Sequence, residues 1–182
     1  TDRTLEIIKK KNKSRVIIKK SNIYEAYNIA IKESRGKYIY ILNSDDEIDK
    51  DSFNKFNKEF LKNKNADIYS TIGVEFNKNK KNYIRKRMFT DAKLFHKGII
   101  KFESQSILGC FISKETYLNL NCFETKYTIS ADKDFLIKMA LSRLKIININ
   151  FISYFIRCHE DSTTFGNSSN KRLNEAIYQK FD

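Results

Sequence analysis

The chain has 182 residues, and 35 lysines and arginines against 22 aspartates and glutamates give it a formal net charge of +13 at pH 7. A hydrophobic share of 41% and an aromatic share of 13% exclude intrinsic disorder and suit one domain around one core. No apolar run reaches the roughly 20 residues of a membrane-spanning helix, and three cysteines (Cys110, Cys122, Cys158) without paired metal spacing predict reduced thiols in a cytoplasmic protein.

The positive charge invites a nucleic-acid reading, but its composition argues otherwise. The basic residues are 27 Lys against 8 Arg, Asn and Ile are abundant, and Pro and Trp are absent. That bias is the mark of an A/T-rich coding sequence, whereas bidentate recognition of phosphates or bases favours Arg. No nucleic-acid partner is expected. Peripheral association with the inner face of the cytoplasmic membrane is consistent with the charge, at roughly 1 kcal/mol per well-placed cation.

In chain order, residues 15–19 (Arg-Val-Ile-Ile-Lys) read as a short strand and 23–34 as a helix with Ile23, Ala26, Tyr27, Ala30 and Ile31 on one face. Gly36 stops that helix, and residues 37–42 are apolar enough for a central strand. An amphipathic helix follows over 51–63, its Phe53, Phe56, Phe60 and Leu61 at core-packing spacing. Residues 66–76 read as a strand and 77–98, basic and unpatterned, as a loop over the site. A strand is expected at 107–113, a short helix at 114–120 and a strong helix at 130–144 whose first turn holds Asp132 and Asp134. Strand-like runs at 145–150 and 152–157, a polar loop at 167–170 and a helix at 171–181 close the chain. Strands alternating with helices predict an α/β domain with a mostly parallel sheet.

The densest signal is Lys37-Tyr-Ile-Tyr-Ile-Leu-Asn-Ser-Asp-Asp46, an apolar strand that runs into two adjacent acids, with Glu47 behind them. Carboxylates at the C-terminal tip of a buried strand are the usual build of a ligand site in an open α/β sheet. Hard oxygens there suit Mg²⁺ or Mn²⁺ carrying a phosphate.

Three blocks in order carry a family resemblance: Asn22-Ile-Tyr-Glu-Ala-Tyr-Asn28 with Gly36-Lys-Tyr-Ile and Leu42-Asn-Ser-Asp-Asp46; Ala131-Asp-Lys-Asp134; and Tyr154-Phe-Ile-Arg157-Cys-His159-Glu-Asp-Ser162-Thr. Together they resemble bacterial family 2 glycosyltransferases, nucleotide-sugar-dependent enzymes with the GT-A fold. The resemblance implies a Rossmann-like sheet flanked by helices and a nucleotide-diphosphate sugar donor, UDP-linked by expectation. It also implies a divalent Mn²⁺ or Mg²⁺ and an acceptor that is a surface glycan or a lipid-linked sugar.

Residue by residue, it places Asp45 as the metal ligand. Asn43 stands where the family has an Asp and is left to hydrogen-bond a ribose hydroxyl. Asp46 is a supporting acid or a sugar contact. Asp132 falls at the position of the catalytic base, and Asp134 is either a supporting charge or a first-turn acid worth a few tenths of a kcal/mol to its helix. Arg157 is expected to bind phosphate and His159 phosphate or metal. Glu25 and Asn28, three apart on one helical face, are expected to touch nucleotide or sugar, and Gln105 the acceptor.

The opening Thr1-Asp2-Arg3-Thr4 resembles the tail of the family's Asp-Gly-Ser-Thr-Asp stretch, so an N-terminally truncated domain is expected. The absent part would be about forty residues, a strand–helix–strand unit whose loss exposes sheet edges and removes half the nucleotide crevice. Two other readings stay open: a metal-dependent nuclease or basic nucleic-acid binder, and a non-catalytic glycosyltransferase remnant.

Overall fold

The computed structural model describes residues 3–10, 15–76, 84–87 and 106–159. Its elements are α1 (Thr4–Lys10), α2 (Ile23–Glu33), β1 (Tyr38–Ile39), β2 (Glu47–Ile48), α3 (Ser52–Lys62), β3 (Ile68–Phe76), β4 (Ile84–Arg87), β5 (Cys110–Ser113), α4 (Lys114–Asn119), α5 (Ala131–Leu141) and β6 (Ile146–Arg157). The expectations for Gln105, for residues 162–163, for the loop at 167–170 and for the helix at 171–181 lie outside the described residues.

The strands form one sheet in the order β1-β5-β3-β6-β2, with β4 beside the second half of β3. Period-2 alternation sends neighbouring residues to opposite faces. Ile68 and Ile112 enter one core with Ile31, Tyr117, Phe123, Phe135, Leu136 and Met139, so α2, α4 and α5 cover that face. Tyr69 and Phe111 enter the other, against Phe56 and Phe60 of α3. Phe56 and Phe60 of the α3 stripe are thus core packing, with the Phe56 and Phe111 rings stacked 4.0 Å apart, whereas Phe53 and Leu61, expected in the same stripe, are exposed.

The α/β class stands, but the sheet is mixed. Among the described pairings only β3 with β6 is parallel; β1/β5, β3/β5, β3/β4 and β2/β6 are antiparallel. Alternating elements suggested parallel crossovers, yet direction is set by how each connection re-enters the sheet. The stretch between β3 and β5 returns the chain antiparallel, while α4 and α5 carry it back over one face for the parallel β6.

Three local expectations also change. Residues 15–19 form no strand, and Val16, Ile17 and Ile18 are exposed, because no described segment supplies the ladder partner a strand requires. The run 37–42, expected to be central, is strand only at Tyr38–Ile39 and ends the described strand order. Inside the expected loop 77–98, Ile84–Arg87 pairs with Ile72–Glu75. There the open edge of β3 decides the structure over a basic local sequence.

The two strand-like runs at 145–150 and 152–157 are one strand with a pronounced irregularity. Between the Ser70/Asn148 and Gly73/Tyr154 pairs, β3 advances by three residues and β6 by six. Such extra residues bend a strand, and the bend delivers Tyr154–Arg157 to the turn that follows β1.

Candidate active site

The site lies where the turn after β1, the end of β6 and the start of α5 meet the α2 helix. The turn is closed by the Asp46 amide donating to the Asn43 carbonyl at 3.3 Å. Immediately after it, β2 pairs with β6, with Glu47 opposite Phe155 and Ile48 opposite Tyr154. The amide of Cys158 then donates to the Phe76 carbonyl at 2.8 Å. These backbone bonds bring Asp45 and His159, 114 residues apart in sequence, into contact: His159 Nε2 lies 2.9 Å from Asp45 Oδ2. Both side chains keep access to solvent.

Asp46 faces the other way. Its Oδ2 accepts from the buried Tyr154 hydroxyl at 2.6 Å and from Asn43 Nδ2 at 3.1 Å, and its Oδ1 accepts from the Arg157 amide at 2.9 Å. Asn43 is used at both ends, since its Oδ1 accepts from the Tyr27 hydroxyl at 2.5 Å. Burial, followed by the negative charges of Asp132, Asp45 and Asp46, pushes the Tyr27 phenol up to about 12. Three acids from two distant parts of the chain therefore converge around one tyrosine. The resulting negative potential favours a cation.

Asp132 opens α5, half-buried, and its Oδ1 accepts from the Lys133 amide at 3.0 Å. Tyr24 of α2 donates to the Ile129 carbonyl at 2.6 Å and lies 3.3 Å from the same Oδ1. Asp134 instead pairs with Lys138 one turn along at 2.8 Å, an i,i+4 contact that supports the helix.

The remaining sequence candidates have their own partners. Glu25 closes a capping box, its carboxylate accepting from the Asn22 amide at 3.2 Å while its amide donates to Asn22 Oδ1 at 2.8 Å. Asn28 clamps the Phe123 backbone, donating to its carbonyl at 2.8 Å and accepting from its amide at 3.0 Å. Arg157 pairs with Glu47 at 3.0 Å and lies over the Phe76 ring. It remains exposed at the mouth of the site. Sequence reasoning gave no part to Tyr24, Tyr27 or Tyr154. The available signal was a tyrosine on an otherwise apolar face, since a buried phenol calls for a partner.

Among the described residues, no group of three or more His, Cys, Asp or Glu is arranged to hold a metal. Asp45 and His159 are a two-donor set of one carboxylate and one imidazole. This suits an octahedral cation that takes its other ligands from phosphate oxygens and water, and the imidazole favours Mn²⁺ over Mg²⁺.

The sequence matches the profile described as "Glycosyl transferase family 2" over residues 1–117. The chain belongs to that family. Among solved structures it is similar to S. aureus TarS 1-349, with a TM-score of 0.63 and 17% identity, covering 100% of this chain and 59% of that one. A second S. aureus TarS structure gives a TM-score of 0.61 and 16% identity, covering 100% of this chain and 36% of that one. The likeness establishes the GT-A fold, and the chain spans little more than half of the shorter TarS chain. No curated protein sequence matches it.

Proposed function

We propose that this domain transfers a sugar, with inversion, from a nucleotide-diphosphate donor, UDP-linked by expectation, to a hydroxyl of a surface-glycan or lipid-linked acceptor. The observation that carries the reading is the Asp45–His159 contact at 2.9 Å, open to solvent near the exposed Arg157, with Asp132 and Asp45 both acting on the Tyr27 phenol. Asp45 and His159 would hold Mn²⁺ or Mg²⁺, which supplies charge neutralisation to the diphosphate as it leaves. Arg157 adds a guanidinium suited to phosphate oxygens, once it exchanges Glu47 for the donor.

Asp132 is the base in this reading. It takes the acceptor hydroxyl proton as that oxygen bonds to the anomeric carbon and the bond to the diphosphate oxygen breaks, releasing nucleoside diphosphate. Tyr24 and the Lys133 amide fix the orientation of its carboxylate. Glu25 and Asn28 act by building α2 and its neighbourhood. Peripheral association with the inner face of the cytoplasmic membrane belongs to this reading and is consistent with the net charge of +13; among the described residues no helix is long and apolar enough to cross a membrane.

The test is Mn²⁺ binding, with and without UDP, followed by transfer assays. Asp45→Asn should abolish Mn²⁺-dependent nucleotide binding, and Asp132→Asn should spare that binding and abolish turnover. Wild-type Mn²⁺ affinity in Asp45→Asn would overturn the metal assignment, and near-normal turnover in Asp132→Asn the base.

A further inference from the structure

Asp46 is one residue from the proposed metal ligand Asp45, yet its carboxylate is filled by the protein. Of its three donors, Tyr154 and Arg157 lie on β6, and Asn43 lies on its own turn. Tyr154 is fully buried, so its hydroxyl has a fixed direction, and burial, followed by the Asp46 carboxylate it donates to, raises its ionisation far above the ordinary tyrosine range. The Asp46 carboxylate thus grips β6 at two points three residues apart, just before the chain reaches His159. Through Asn43 the same carboxylate is linked to Tyr27, and so to α2. An amide at position 43 suits this arrangement, because a carboxylate there would oppose Asp46 where Nδ2 now donates to it.

We propose that Asp46 is a positioning residue that, by holding Tyr154 and the Arg157 amide, sets Asp45 and His159 facing one another. The backbone pairing of β2 with β6 fixes which residues are opposed. The Asp46 bonds fix how closely the turn approaches the end of β6. Partners just outside a metal's ligands commonly set ligand orientation in this way. The metal readout rests on the function proposed above; the Asp45–His159 contact itself does not.

The experiment compares Tyr154→Phe, Asp46→Asn and the double variant with wild type, using Mn²⁺ alone as the probe. Manganese EPR is recorded well below the lowest melting temperature of the set. Tyr154→Phe deletes one hydroxyl that touches no metal, and it should weaken Mn²⁺ binding by about tenfold or more, the range typical of such outer contacts. Asp46→Asn should do at least as much, and the double variant should be no weaker than Asp46→Asn, since both break one linkage. Phe60→Leu, in the core on the α3 side, should lower the melting temperature and leave Mn²⁺ affinity unchanged.

Wild-type Mn²⁺ affinity in Tyr154→Phe, or additive losses in the double variant, would overturn the proposal. If the wild type takes up no Mn²⁺, the metal reading fails and the positioning claim is decided by the His159 imidazole ¹⁵N signals at fixed pH. Those signals should shift in both single variants. Unchanged signals would overturn positioning by Asp46 independently of any metal.

Discussion

Replacing Asn28 by alanine separates the nucleotide or sugar contact expected from the sequence from the backbone clamp found in the structure. A nucleotide contact would cost binding; a backbone clamp costs stability. Asn28 makes two hydrogen bonds to Phe123, at 2.8 Å and 3.0 Å, and Phe123 is only 2% exposed. Alanine leaves one backbone N–H and one C=O of a buried residue without these partners, at about 1–1.5 kcal/mol each. The better helix propensity of alanine returns about 0.5 kcal/mol. The net loss is about 2 kcal/mol, or roughly 4–8 °C in melting temperature for a domain of this size. Asn28→Asp should be at least as damaging, because it keeps the acceptor for the Phe123 amide but turns a carboxylate oxygen toward the Phe123 carbonyl. Thermal melts and urea midpoints measure the loss, and calorimetry with UDP and Mn²⁺ at low temperature shows whether binding survives. A melting temperature within a degree of wild type, together with weakened nucleotide binding, would refute the clamp.

Burial pushes the Cys110 thiol from 9.0 to about 12 and helps push the Tyr27 phenol from 10.0 to about 12. Both groups hold their proton more tightly folded than unfolded, so their contribution is intact below pH 9 and is lost as pH rises toward 12. The loss is about 1.4 kcal/mol per pH unit for each group within its window. Urea midpoints should fall across this range, and Cys110→Ala should flatten the limb that starts at pH 9; a Cys110→Ala profile parallel to wild type would contradict the assignment. Phe111→Ala should cost about 3–5 kcal/mol by denaturant titration, since its ring is 2% exposed and stacked on Phe56. A loss under about 1 kcal/mol would mean that this aromatic cluster is not a core.

The elements with strong internal periodicity were legible in the sequence. The α2 and α3 helices lie within the spans that apolar spacing predicted, although Ile23, Ala26 and Ala30 of the expected α2 face are exposed; the helix beginning at Ala131 falls within the expected 130–144, marked by its first-turn acids, and β3 and β5 fall within the expected runs. These segments carry their own signal because a single face must be buried. The weak points were segments whose state depends on a neighbour. Residues 15–19 have strand composition and no described partner, whereas Ile84–Arg87 has a basic, loop-like sequence and becomes strand on the open edge of β3. Strand direction was equally hidden, because it depends on the path of each connection and not on the residues within a strand.

For the site, the sequence by itself determined which side chains bear charge and that the turn after β1 ends in two acids. Only the tertiary structure gave those acids different surroundings. Asp45 meets a histidine 114 residues away, while Asp46 turns inward to Tyr154 and the Arg157 amide. Adjacent carboxylates are chemically identical, and nothing local distinguishes them. Direction at a turn and the arrival of a bent β6 beside it do, and both arise from contacts far apart in the chain.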